Sequence, residues 1–170
     1  YLISLGHREL MFLGGRDFSV THRRRHQGFL DAAAAAANVC YDIFTILSGS
    51  KIEDGYRTGL AYFTHCIENK QPIATGILCI SDHFALGVMQ AAVETGVDIP
   101  GQVSLIGFDD VSFASLPKIQ LTTISQPKEE ICDAAVRTLE ELIHAAEPAP
   151  VSCKTIQPVL VRRDTCGPPG

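Results

Sequence analysis

Short stretches near residues 9–15, 41–47, 72–80, 102–108 and 119–124 are almost continuously apolar, with no polar residue at every second position. Strands buried on both faces read this way, whereas a half-solvated strand alternates. Between them the period changes. The stretch 52–69 repeats Ile52, Tyr56, Leu60, Phe63 and Ile67 near helical spacing. The stretch 18–38 is rich in helix formers and predicts a helix stopping at Asn38. Asp82 is placed to cap a helix running to Val93, with Gly96 and Pro100 ending it. The stretch 127–146 starts on Pro127, carries Glu129 and Glu130 in its first turn, and repeats Ile131, Ala135, Leu139 and Leu142. The first residues look like a helix end, and 154–165 like a last strand interrupted by Pro158. Strands alternating with helices predict an α/β fold: an open, mainly parallel sheet with helices on both faces.

In such sheets ligands bind outside the carboxyl ends of the strands. The residues following each strand are therefore the candidate chemistry. They are Ser19, Thr21 and Arg25 after the first, and Ser48, Gly49 and Ser50 after the second. Ser81 and Asp82 follow the third, Asp109 and Asp110 the fourth, and Ser125 and Gln126 the fifth. Carboxylates accept from hydroxyls and a guanidinium donates a planar fork, so the set suits a polar or polyhydroxylated ligand. By residue type alone Asp82 reads first as a helix cap, and Asp109 equally as a turn residue or a ligand contact.

Composition narrows the partners. Of 170 residues 46% are hydrophobic and 19% charged, which supports one compact domain with a core. A net charge of −5 argues against a nucleic-acid grip by this segment, and "THRRRH" (21–26) reads as a solvated first helical turn in which Arg25 faces inward. The six cysteines, Cys40 among them, form no C-x-x-C pair, which points to free thiols in a reducing compartment. His22 and His26 stand four apart with no third ligand in view, so no metal is expected. No nucleotide-binding glycine loop, G-x-S-x-G elbow or membrane-length apolar run occurs, and no cofactor or enzymatic activity is expected.

Five ordered motifs, "LGHRELMFLGG", "RHQGF", "SDHFALGVMQAAVETGVDIPGQVSLIGFDD", "LTTISQP" and "PVLVRRDT", span nearly the whole chain. In these the chain resembles the effector-binding domain of the LacI/GalR family of bacterial transcription regulators. The resemblance implies a type I periplasmic-binding-protein-like fold of two subdomains with a ligand cleft between them. On it, 1–125 would be the C-terminal subdomain. Residues 126–150 would be a crossover helix belonging to the other subdomain, and 151–170 a final strand and tail. It implies effector contacts from Arg25, Asp109, Gln126, Ser81, Thr21 and Ser19. It also implies a homodimer contact through 84–93 and 113–119, with Phe84, Val88, Ala92, Phe113 and Leu116 as its apolar members. The effector would be a sugar or related metabolite. DNA would be met only through a helix-turn-helix outside this chain, and the location would be cytoplasmic with no membrane partner. Two features depart from the sugar-binding pattern: Ser81 stands where Asn is frequent, and the loop after the second strand has no aromatic to stack on a ring. A periplasmic sugar receptor would share this fold and is the alternative.

Overall fold

The computed structural model describes residues 1–36, 42–144 and 153–170. Helix α1 (Leu2–Leu5) ends on Gly6, whose φ of 106° closes the helix in a left-handed cap. Then follow β1 (Glu9–Leu13), α2 (Val20–Ala35), β2 (Asp42–Ile46), α3 (Ile52–Asn69), β3 (Gly76–Cys79), α4 (Asp82–Thr95) and β4 (Ser104–Ile106). A 3-10 turn (Ser112–Ser115), β5 (Thr123–Ser125), α5 (Lys128–His144) and β6 (Val159–Val161) complete the chain. The expected stop at Asn38, Cys40, and the end of the last helix beyond 144 lie outside the described residues.

Four strands form a parallel sheet in the order β2-β1-β3-β4. Helices cover it on both faces: α2 lays Phe29 against Phe12 (ring centroids 5.6 Å apart), and α4 packs on β3 and β4. Leu13, Ile77 and Leu105 are fully buried, as continuous apolar strands require. The fifth strand is a correction to the parallel scheme. β5 pairs antiparallel with β6, and Thr122 makes only one isolated parallel bridge to Ile106. Pro158, lacking an N–H, immediately precedes β6 and shortens the strand expected over 154–165.

The buried stripe of α3 also differs from the expected one. Gly55, Gly59, Phe63 and Cys66 are buried, while Ile67 is half exposed. The helix is rotated so that glycines face α4, because this pair packs backbone to backbone. A Cβ on Gly55 would stand 2.1 Å from the Phe84 carbonyl oxygen, and one on Gly87 2.1 Å from that of Ile52. Helix α5 has no buried residue, and Leu139 and Leu142 remain more than half exposed.

His7 joins the start of the chain to its end. Its Nε2 donates to the Gly167 carbonyl (2.9 Å), its Nδ1 accepts from the Thr75 hydroxyl (3.0 Å), and the residue is buried. Burial, only partly opposed by the Gly167 carbonyl, holds its pKa below the usual 6.5. The unfolded chain therefore binds a proton that the folded one refuses. His7 contributes stability that is present above pH 6.5 and lost as pH falls towards its folded value. Urea unfolding between about pH 7.5 and pH 5 should show a falling midpoint, flattened by His7→Gln. An equally steep fall in that variant would mean that other groups carry the effect.

Candidate ligand site at the sheet edge

The carboxyl ends of β1, β3 and β4 converge on one polar group. Ser19 caps α2, its hydroxyl accepting from the His22 amide at 3.4 Å. That cap sets the helix so that Arg25 points back over the sheet edge. Arg25 Nη1 donates to the Ile80 carbonyl at 2.7 Å and Nη2 to Asp109 Oδ1 at 3.0 Å. Its guanidinium lies 3.7 Å from the centroid of the Phe108 ring. The flat cation stacked on the ring gains electrostatic attraction and loses its freedom to swing. Gln126, leaving β5, donates from Nε2 to the same Asp109 oxygen at 2.7 Å.

The geometry leaves chemistry unused. Two of Arg25's five N–H donors are engaged, and Asp109 Oδ2 accepts no hydrogen bond among the described residues. A donor-rich fork and a free carboxylate oxygen thus stand side by side at a half-buried edge, with side-chain exposures of 21% and 28%. Vicinal hydroxyls, or a ring presenting adjacent donor and acceptor, match that pair.

The turn is held open under strain. Asp109 has φ 111° and Asp110 φ 48°, conformations that non-glycine residues seldom adopt. Asp109's amide bonds the Ile124 carbonyl at 2.9 Å, and Arg163 Nη2 clamps Asp110 at 2.6 Å. Burial pushes the Asp110 carboxyl up, but bonds from Arg163 and Ser125 and the charges of Arg163 and Lys128 outweigh it and leave its pKa low. A Phe and two acids therefore end the strand for three separate reasons. Phe108 is a plate for Arg25, Asp109 faces the open sheet edge where it meets Arg25 and Gln126, and Asp110 anchors the turn.

Of the expected site residues, Arg25, Asp109 and Gln126 are brought together. Thr21 is exposed on the first turn of α2, 3.1 Å from the Ser19 hydroxyl. Ser81 is differently employed. It caps α4 by accepting from the Phe84 amide (3.2 Å), donates its proton to the Ser50 carbonyl (3.1 Å), and is buried. That also corrects Asp82, which does not cap the helix. The expected subunit contact needs correcting as well. Phe84, Val88 and Ala92 are buried in this chain's own core, beneath α3, and have no surface to offer a partner. Leu116 is half exposed, and Phe113 packs edge-on against His83 with centroids 5.2 Å apart.

Three residues escaped the sequence reading. Phe108 and Arg163 are described above. Phe18 is 78% exposed in the loop after β1, with the Arg16 guanidinium 5.8 Å from its ring. Its signal was an unshielded Phe among polar residues at a strand's carboxyl end. His22 and His26 are used locally: His22 Nδ1 accepts from the Arg16 amide, and His26 Nε2 lies 3.0 Å from the Thr45 hydroxyl. Among the described residues no cluster could hold a metal, and Cys66, Cys79, Cys132, Cys153 and Cys166 are free thiols.

Comparison with known proteins decides the family. Residues 1–166 match the periplasmic binding protein-like domain. The HTH-type transcriptional repressor PurR of Yersinia pestis bv. Antiqua is 33% identical over 96% of this chain and 46% of its own length. The chain belongs to the LacI/GalR family. A LacI transcriptional regulator from Rhodococcus superposes over 98% of this chain and 58% of its own, with a TM-score of 0.81 and 29% identity. A LacI family regulator from Enterococcus faecalis, solved with bound ribose, shares the fold (TM-score 0.79, 24% identity, 98% of this chain and 57% of its own). The fold is thus that of a LacI/GalR effector domain. The chain spans about half the length of the curated relatives it matches, which include HTH-type transcriptional repressors and an uncharacterized HTH-type transcriptional regulator. No helix among the described residues is long and apolar enough to cross a membrane.

Proposed function

We propose that this LacI/GalR chain senses a small polar ligand, a sugar or related metabolite, and passes its presence to DNA-binding heads outside this chain. The carrying observation is the Arg25–Asp109–Gln126 group, with Asp109 Oδ2 and part of the Arg25 fork uncommitted. The ligand would sit between this sheet edge and a second subdomain, and its preference for one relative orientation would change the spacing of the heads. Coupling of that kind amounts to about 1–3 kcal/mol. In this reading α5 belongs to the second subdomain, which accounts for its wholly exposed apolar stripe. A regulator is favoured over a periplasmic receptor because the curated relatives are repressors.

The test is calorimetric titration with monosaccharides, D-ribose first, and with polar nitrogen heterocycles. Binding that Arg25→Ala abolishes supports the reading. Binding that survives Arg25→Ala refutes this site.

The functional unit in this proposal is a homodimer joined through 113–119 and the outer face of α4, where Leu116 is half exposed and Val93 84% exposed. Light scattering during size exclusion should give about twice 18.4 kDa, and Leu116→Asp should return the monomer. A wild-type monomer defeats the contact.

A further inference from the structure

Asp82 is fully buried without a cation, since the described ion pairs use Asp54, Asp109 and Asp110 instead. A lone buried carboxylate is costly unless donors surround it. Here they come from two separate segments. The Val111 amide donates to Oδ2 at 2.9 Å, and the Thr123 hydroxyl to Oδ1 at 2.5 Å. Asp82's own amide donates to the Phe108 carbonyl at 2.8 Å. The backbone at 107 must come close for this: a Cβ on Gly107 would lie 2.1 Å from Oδ1.

These bonds bracket the ligand group. Phe108 and Val111 flank the strained pair Asp109–Asp110, and Thr123 begins the strand from which Gln126 emerges. Helix capping does not explain the residue, because Ser81 caps α4. An apolar side chain would fill the space at lower desolvation cost but would leave the Val111 amide without an acceptor. Burial, and then the neighbouring Asp109 and Asp110 charges, disfavour the ionised form, so the carboxylate is retained against a penalty. Its return is geometric: one rigid side chain fixes the turn and β5 relative to α4.

We propose that Asp82 is a positioning residue of the ligand site, latching the 108–111 turn and β5 to the start of α4 and so setting where Asp109 and Gln126 stand. The inference rests on the reading of Asp109 as a ligand residue, but its first test needs no ligand. In the full chain, amide exchange and side-chain NMR would be followed in wild type, Asp82→Ala, Asp82→Asn and Thr123→Val. Asp82→Ala should speed exchange of the Val111 amide by about tenfold or more and shift the Gln126 side-chain amide. The core amides of Leu105 and Val88 should stay as in wild type. Asp82→Asn, which keeps one acceptor oxygen, should restore most of the Val111 protection. Thr123→Val should move Gln126 but spare Val111, and it reads the latch even if Asp82→Ala does not fold. Unchanged Val111 and Gln126 signals, or an equal loss of protection throughout, would overturn the proposal.

D-ribose titration then separates the two claims. If wild type binds, Asp82→Ala should weaken binding by about tenfold with the core intact. Intact affinity alongside a loosened turn would overturn the positioning role. If wild type responds neither to ribose nor to the other monosaccharides of the panel, the sugar reading fails and the amide results decide the latch alone.

Discussion

Gly87→Ala should remove much of the stability of this chain. The added Cβ would lie 2.1 Å from the Ile52 carbonyl oxygen and 2.5 Å from the Tyr56 amide nitrogen. Both are backbone atoms of α3, so no rotamer change relieves the clash and the helices must part. Parting them opens the contacts of Phe63, Phe84 and Val88, all fully buried. Overpacking costs typically about 1–3 kcal/mol, and a backbone clash belongs at or above the top of that range. A loss of about 3 kcal/mol is a large share of a domain's total stability of about 5–15 kcal/mol. The reference is Gly28→Ala, on a part of α2 where an added Cβ meets nothing within 4 Å. It should gain about 0.5–1 kcal/mol from helix propensity. Urea unfolding followed by circular dichroism measures both. A Gly87→Ala midpoint close to wild type would show that α3 and α4 are not packed as described.

The seam glycines Gly55 and Gly87 also mark how far the sequence could be read. The four parallel strands were legible because continuous apolar runs have few other uses in a chain of alternating helices. The tight seam between α3 and α4 was not, because Gly55 and Gly87 carry no side chain to register in a hydrophobic pattern. The expected stripe through Ile67 followed bulk, while the packing follows closeness of approach. Phe84, Val88 and Ala92 show a related ambiguity. Their spacing identifies a buried face but not whether the chain itself or a second copy covers it. In "SD" either residue has the chemistry of a cap, and only the direction of the bonds separates Ser81 as cap from Asp82 as latch. Arg25, Asp109 and Gln126 were legible because each follows the carboxyl end of a strand, Arg25 within the helix after β1, and the topology of the sheet brings such ends together. Arg163 was not, because it reaches Asp110 from a segment far along the chain.

Asp109→Gly should separate ligand binding from folding. Asp109 holds φ at 111°, a conformation glycine adopts freely and other residues adopt at a cost of about 1–3 kcal/mol. Its ion pair with Arg25 has side-chain exposures of 21% and 28%, so solvent screens it in part and removing it takes away only about 0–1 kcal/mol. Relief of the turn therefore offsets or exceeds the lost pair, and the melting temperature should hold or rise. Binding should move the other way. The carboxylate supplies the acceptor and orients the guanidinium, and bonds to a charged group contribute about 1.5–3 kcal/mol, so affinity for the best ligand of the sugar panel should fall about 10- to 150-fold. Asp109→Asn tolerates the same backbone and keeps an oxygen for Arg25, so it should lose binding with little change in stability. Arg25→Lys should lose binding too, because an ammonium has neither the fork for Asp109 nor the flat face for Phe108. Calorimetry and thermal melts on the three variants give the answer together. Wild-type affinity in Asp109→Gly would place the ligand elsewhere. A melting temperature that fell in step with affinity would make the strained turn a structural necessity and leave its role in recognition without support.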